Sequence, residues 1–411
     1  MIAYHFPPLS GSSGIQRTLR FVQHLPSLGW EPIVLTAHPR AYEQVGTDLM
    51  VDVPPATVVE RAFALDTSRH FSIFGRYPAA LARPDRWLPW LWGAVPAGLR
   101  LVRRFNPTAI WSTYPIATAH LIGAALHRRT HLPWIADFRD PMAQDGYPAD
   151  PKTWRAFKRI EESTLSRAAF SVFSTPGAAR TYRERYPDLG PERIAVIENG
   201  YDEESYAGLA DSPPLNAAQV TLVHSGIVYP SERDPTRLFV ALGRLHRAGR
   251  LTRANFALRF RAAVHDALLK QLADEHGVAE LVDIAPPIPY RNALEEMMRA
   301  DGVVVMQAAN CNEQIPAKLY EYLRARRPIV GLTDPAGDTG ALLRSAGVEA
   351  IARLESADEI ERTLLRFVEG IRAGNAALPV PAFVEGASRR GRSRELAALL
   401  DRLCDAPSSD A

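Results

Sequence analysis

Short apolar runs alternate along most of the chain with longer segments whose apolar residues recur every three or four positions. The runs are Pro32–Thr36, Ala109–Thr113, Pro133–Ala136, Phe170–Thr175, Ile194–Ile197, Val220–Gly226, Phe256–Phe260, Leu281–Ile284, Gly302–Met306 and Pro328–Leu332. Most are continuously apolar rather than alternating, and several are rich in β-branched residues. That pattern predicts interior strands of parallel sheets, covered on both faces. Helical spacing between the runs predicts helices from Ile15 to Leu25, over 151–167, after Gly177, from Pro235, and over 292–299, 338–346, 357–371 and 391–403. Met1–Tyr4 is too short for a full strand and reads as one whose start is clipped or misplaced. Residues 37–82 show neither period and read as irregular.

Alternating strands and helices in both halves imply an α/β fold: two doubly wound, Rossmann-like domains facing each other across a cleft. Residues 203–218, with Ser212-Pro213-Pro214, read as the linker. The expected divisions are 1–203, 204–380, and 381–411 as a final helix with a polar tail. One segment is ambiguous. Arg83–Arg104 contains Trp87, Trp90 and Trp92 and ends on Arg100, Arg103 and Arg104. It reads first as a core helix and second as a membrane-surface segment.

Composition narrows the partners. The chain has 411 residues, 48 Lys+Arg against 46 Asp+Glu, and a formal charge of +2, too balanced for a nucleic-acid binder. The first 200 residues hold 23 basic and 17 acidic side chains (+6), which leaves 25 and 29 (−4) for the rest. A basic and an acidic half fit two domains with different partners, although scatter would give the same totals. Cys311 and Cys404 make no disulfide framework and fit a reducing, cytoplasmic setting. No signal peptide and no apolar stretch of membrane-spanning length is visible.

The chemistry concentrates in Glu313-Gln314-Ile315-Pro316-Ala317-Lys318-Leu319-Tyr320-Glu321. It follows an interior strand and opens a helix, with Pro316 suited to the first helical position. Free backbone donors and the positive end of the helix dipole at such a start attract anions such as phosphate. Lys318, one of only four lysines, adds a cation there. Glu321 lies on the same side one turn later and can accept from two hydroxyls. A phosphate site beside a diol site is what a nucleotide sugar needs. Elsewhere, the loop Phe6–Gly14 has small residues, including Ser13 and Gly14, ahead of a helix, which suits close approach to phosphate. It lacks the spacing of a nicotinamide fingerprint. Asp137, Arg139 and Asp140 cluster at a strand's C-terminal end, where open sheets place ligands. An internal salt bridge that shapes the loop explains them equally well.

Together these stretches resemble glycosyltransferase family 4, retaining enzymes of the glycosyltransferase B-fold. Tyr4-His5-Phe6-Pro7-Pro8 with Gly11, Gly14, Ile15, Gln16 and Arg17 is similar to the family's N-terminal phosphate loop. Ile197–Asp202 is similar to its interdomain turn, and Val223-His224-Ser225-Gly226 to the start of its donor domain. Glu313 and Glu321 match its two-glutamate signature. The resemblance implies an acceptor-side first domain, a donor-binding second domain and a last helix crossing back to the first. It implies that Glu321 binds the donor ribose, and that Glu313, Pro316, Ala317 and Lys318 face sugar and diphosphate. Ser13 and Gly14 would meet the phosphates. Ile227 stands after Gly226 where the family has an arginine; Arg233 substitutes for the family's lysine a few residues on, and Lys318 completes the charge clamp. Arg139, between Asp137 and Asp140, holds the place of the family's catalytic-side histidine.

The implied activity is metal-independent transfer of a sugar from a UDP- or GDP-sugar to the hydroxyl of a glycan or lipid-linked acceptor, in polysaccharide or glycoconjugate synthesis. No cofactor and no metal ligand is expected, only the donor as substrate. A cytoplasmic location with a peripheral contact at the inner membrane surface accompanies that reading. A sugar-nucleotide epimerase and a non-catalytic sugar-nucleotide-binding protein on the same scaffold are the alternatives.

Overall fold

The computed structural model describes residues 1–12, 14–209 and 213–405. The chain divides into two compact units, one of Met1–Glu198 with Arg389 onward, the other of Asn199–Ser388. The first boundary lies at Asn199 rather than 204 because Tyr201 and Tyr206 are already buried in the core of unit 2. The second lies at Arg389 rather than 381. The turn of helix before it, with Val384 and Ala387, also belongs to that core. Of the expected linker, Ser212 lies outside the described residues.

Unit 1 contains strands β1 (Ile33–Ala37), β2 (Val58–Ala62), β3 (Ile110–Thr113), β4 (Trp134–Arg139), β5 (Phe170–Phe173) and β6 (Ile194–Val196). Its helices are α1 (Gly14–His24), α2 (Thr67–His70), α3 (Trp90–Phe105), α4 (Ala117–Thr130), α5 (Pro151–Arg167) and α6 (Pro176–Arg185). All the strand pairs are parallel. The short N-terminal segment bridges the gap in this sheet. Ile2 pairs with both Leu35 of β1 and Ser112 of β3, and the Ile2 amide donates to the Trp111 carbonyl at 2.7 Å. The order is therefore β2-β1-Ile2-β3-β4-β5-β6, with Ile2 at the point where the winding reverses. β2 falls in the stretch that reads as irregular. It is a half-buried edge strand, so neither its burial nor its Val-Val-Glu-Arg-Ala sequence supplies a clear period.

Unit 2 contains β7 (Val220–Ser225), β8 (Phe256–Arg261), β9 (Val282–Ala285), β10 (Gly302–Met306), β11 (Ile329–Leu332) and β12 (Ile351–Ala352). Between and after them run α7 (Thr236–Arg247), α8 (Asp266–Glu275), α9 (Tyr290–Arg299), α10 (Lys318–Ala325), α11 (Asp338–Ser345), α12 (Ala357–Arg372) and α13 (Pro381–Gly386). The order β9-β8-β7-β10-β11-β12 is the doubly wound one, with its switch point between β7 and β10. α14 (Arg389–Asp405) then returns to unit 1 and packs on α1, with Leu396, Leu399 and Leu400 buried beside Phe21 and Trp111.

The ambiguous segment resolves as packing. α3 turns Trp90, Ala94, Ala97 and Gly98 inward against α4 and the β1–β2 pair, so the tryptophan-rich segment is a core helix; Trp92 alone of its tryptophans is largely exposed. His120 is fully buried with Nδ1 at 2.8 Å from the Ser112 hydroxyl, and burial lowers its pKa to about 4.

A buried ion pair ties the functional end of unit 1 together. Arg17 of α1 holds Asp137 of β4 through two bonds, Nε to Oδ2 at 2.9 Å and Nη2 to Oδ1 at 2.8 Å. It also donates to the carbonyls of Ile197 and Glu198. Thr113 of β3 adds a bond of 2.8 Å to Asp137 Oδ2. Side-chain exposures of 2% and 0% mean that breaking the pair would strand a dehydrated charge. Arg17→Met should therefore lower the unfolding free energy by about 3–5 kcal/mol. Urea denaturation is the measurement, and a loss under about 1 kcal/mol would contradict the assigned role.

Candidate functional site

In unit 2 the site is built at the C-terminal ends of β7 and β10. His224, near the end of β7, is fully buried, and its Nδ1 lies 2.9 Å from the Val304 carbonyl on β10. A carbonyl only accepts, so this contact puts the ring proton on Nδ1 and leaves a lone pair on Nε2. Burial, and next the charge of Lys318, hold the His224 pKa well below its ordinary value, so the ring is neutral. Lys318 Nζ sits 3.2 Å from that Nε2.

Lys318 opens α10 and is largely enclosed. Burial, then repulsion from Arg233, pushes its pKa down from 10.5 to about 7, with Glu321 pulling the other way. Gly226 follows β7 with φ +103°, and a Cβ there would stand 3.1 Å from Lys318 Nζ. A side chain at 226 would thus be strained and would crowd the ammonium. Arg233 donates from Nη1 to the Ile227 carbonyl at 3.0 Å, and its guanidinium lies over the Tyr229 ring at 5.1 Å. Its buried Nε has no hydrogen-bond partner among the described residues. Two crowded cations, one with an unused donor, are arranged to receive an anion.

The start of α10 matches that purpose. The carbonyls of Pro316 and Ala317 accept from Leu319 and Tyr320 at 2.9 and 3.2 Å, so the first turn begins at Pro316, two residues before the regular helix. The loop ahead of it is braced: the Gln314 carbonyl accepts from Gln307 and Thr339, each at 3.1 Å. Glu321 lies one turn beyond Lys318. Its Oε1 accepts from the Tyr290 hydroxyl at 2.7 Å, and its backbone carbonyl accepts from Tyr206 at 3.1 Å. Glu313 stands exposed on the loop before α10.

In unit 1, Gly14 begins α1, and its amide donates to the Ser12 hydroxyl at 3.2 Å. A Cβ at Gly14 would lie 2.3 Å from His5 Nδ1 and 3.2 Å from Arg139 Nη1, so these three residues share one small space. Ser13, expected beside Gly14, lies outside the described residues. Arg139 ends β4 with φ +63°, a left-handed conformation unfavourable for a residue with a side chain. Its carbonyl is clamped by the Ser174 amide and hydroxyl, each at 2.8 Å. Its Nη1 makes a long bond of 3.4 Å to the Tyr114 carbonyl. Burial and then Arg17 lower its pKa, against the pull of Asp137 and Asp140. His5 is pushed down to about 4 by burial and Arg139.

The residues of the Asp137–Asp140 cluster have separate tasks. Asp137 spends both oxygens on Arg17 and Thr113, a bracing arrangement that leaves it no reacting role. The internal-salt-bridge alternative describes Asp137, but its arginine partner is Arg17 rather than Arg139. Asp140 is exposed, and the Ser174 hydroxyl lies 3.3 Å from its Oδ1.

Three further residues join these clusters: His5 in unit 1, and His224 and Tyr290 in unit 2. Each sits inside or just before a stretch that the sequence marks, but no spacing rule singles it out. Their common signal is a polar side chain at a strand end or helix start.

The depressed Lys318 pKa has a consequence for stability. The folded state releases this proton near pH 7 and the unfolded chain near 10.5, so between those values the unfolded chain binds more protons and stability rises with pH. Lys318→Met should flatten that rise and, by removing a buried cation, stabilise the protein at pH 7 by roughly 1–2 kcal/mol. Chemical denaturation of both proteins at pH 6.5 and 9 (about half a unit below and two units above the lysine's own titration) tests this.

Solved structures share the fold of the whole chain. Sucrose-phosphate synthase from Thermosynechococcus elongatus superposes with a TM-score of 0.63 at 12% identity, covering 99% of this chain and 98% of that one. Anabaena HepE, solved with UDP-glucose, gives 0.61 at 13% identity over 96% and 98%. The lipopolysaccharide outer core galactosyltransferase WaaB gives 0.61 at 10% identity over 97% and 98%. No curated protein matches by sequence. Residues 13–200 match the family model described as a glycosyl transferase 4-like domain. Residues 13–200 thus match a glycosyl transferase 4-like domain, and the chain as a whole has the glycosyltransferase B-fold of these solved structures, as its motifs lead one to expect.

Proposed function

We propose that the protein is a retaining, metal-independent glycosyltransferase that moves a sugar from a nucleoside-diphosphate sugar to a hydroxyl of a glycan or lipid-linked acceptor. The observation that carries this reading is the pairing, on one helix, of a crowded cation with a hydroxyl-binding carboxylate. Lys318, with Arg233 beside it, faces an anion, and Glu321 already accepts from the hydroxyl of Tyr290. That order of groups fits diphosphate followed by ribose. The UDP-glucose in the HepE structure belongs to a protein of the same fold and agrees with a uridine donor.

In this reading the chemistry is the departure of a nucleoside diphosphate. Negative charge grows on the leaving oxygen, and preorganised donors aimed at it supply a few kcal/mol each. Lys318, Arg233 and the amides opening α10 are those donors, and they neutralise the charge without a metal. In unit 1, Gly14 provides backbone amides for phosphate. Arg139 provides a half-buried, weakly bonded guanidinium on the catalytic side, with Asp140 next to it. Glu313 faces the sugar. We place the protein in the cytoplasm, with a peripheral contact at the inner membrane surface. Among the described residues, no helix is long and apolar enough to cross a membrane.

Glu321→Ala should weaken binding of the preferred nucleoside diphosphate at least about tenfold, the effect of losing a charged acceptor for ribose hydroxyls. The fold should remain intact, as judged by circular dichroism. Calorimetric titration is the measurement, and an unchanged affinity would remove Glu321 from the site. A thermal-shift series with uridine, guanosine and adenosine diphosphates and their sugars identifies the base. Full transfer activity in EDTA is the expected result for a clamp made of protein cations alone, and abolished activity would refute it.

A further inference from the structure

We infer that His224 is a positioning residue for Lys318: its neutral Nε2 accepts a hydrogen bond from the lysine ammonium and aims that charge at an anion held beside Gly226 and Arg233. The inference rests on the nucleoside-diphosphate reading of this site and adds a residue to which that reading gives no task.

The geometry is directional. With the ring proton on Nδ1, donated to the Val304 carbonyl, Nε2 is the acceptor; the Gly226 backbone lies against the ring as well. The 3.2 Å contact from Lys318 Nζ therefore runs from the ammonium to the ring and takes one of its three donors. His224 sits between Val304 of the neighbouring strand and the Phe260 ring, 5.9 Å away on β8, so the ring is held from both sides. An ammonium on a flexible stem would otherwise turn away from Arg233, which repels it, toward Glu321 on its own helix. An acceptor without charge holds the ammonium without neutralising it. An aspartate in its place would take the whole charge and leave less for a ligand.

The groups that act on this ammonium come from three places. His224 contributes a lone pair from β7, Arg233 a like charge from the loop after Gly226, and Glu321 an opposite charge from α10. Tyr290, on the neighbouring α9, is bonded to Glu321. Tyr322, also on α10, is occupied by the Ser225 amide at 2.8 Å. The protonated lysine is thus balanced between a favourable hydrogen bond and unfavourable enclosure. Ligand affinity should fall as pH rises from 7 to 9 and the ammonium is lost. Removing the acceptor makes the ammonium less favourable, so the fall should begin at lower pH.

Two variants separate positioning from packing. His224→Asn keeps an amide near the Nδ1 position, able to donate to Val304, but offers nothing at Nε2. His224→Gln extends an amide to the Nε2 position and can accept from Lys318. UDP, GDP and ADP are titrated calorimetrically into wild type and both variants from pH 6 to 9. His224→Asn should weaken the best-bound nucleotide about tenfold at pH 7.5, the loss expected for one charge-assisted hydrogen bond, and shift its pH profile downward. His224→Gln should recover most of the affinity and the wild-type profile. A ring that merely packs would lower stability in both variants and leave the pH profile in place. In the unliganded protein, the 15N resonance of His224 Nε2 should move in Lys318→Met, since its donor is gone. An unmoved resonance, or identical affinities and pH profiles for wild type and His224→Asn, overturns the inference. A resonance that moves in a protein binding none of the three nucleotides overturns instead the nucleoside-diphosphate reading, and with it the anion-aiming role.

Discussion

Parallel strands need helices on both faces, and that constraint shapes both units. The side chains of such a sheet are consumed by packing, so only the strand ends and the loops leaving them remain for chemistry. Where the winding reverses, two neighbouring loops part in opposite directions and open a crevice. In unit 2 that place lies between β7 and β10. His224 and Gly226 come from one side of it and the loop leading to Lys318 from the other. In unit 1 it lies beside Ile2, between β1 and β3.

Charge at these places is held at a cost in solvation, and the two units meet that cost differently. Unit 1 buries Arg17 with Asp137 and satisfies both by hydrogen bonds, which makes a brace that joins α1, β3, β4 and the exit from β6. Arg139, two residues further along β4, is left with a single long bond and a strained backbone. Unit 2 sets Lys318 near Arg233, with a neutral imidazole as the lysine's hydrogen-bond partner and Glu232 4.0 Å from the arginine. The satisfied pair stabilises the fold, whereas the crowded cations weaken it. Strain and unfavourable charge collected at strand ends are the usual marks of a binding site.

Much of this was legible beforehand because it depends on local patterns. The run Gly302–Met306 matches β10 residue for residue, and the lengths of α5 and α12 follow from their spacing. The pairing of Lys318 with Glu321 needs only helical geometry. β2 and α8 were not legible: one is a half-buried edge with no period, and the other follows a stretch with no start signal. Asp137 and Arg139 look alike as neighbours in sequence. Which one carries a salt bridge depended on where Arg17 arrives, 120 residues earlier in the chain.

By itself, the sequence determined the fold class, most of the strands and the helix start that carries Lys318 and Glu321, because periodicity and helix-start chemistry act over a few residues. Only the tertiary structure decided that Ile2 completes a sheet, that Asp137 is a brace, and that a histidine on β7 holds the lysine of α10. Those facts concern residues brought together across dozens of positions. Their chemistry arises from burial and from which partner fills which lone pair, and both exist only once the chain has folded.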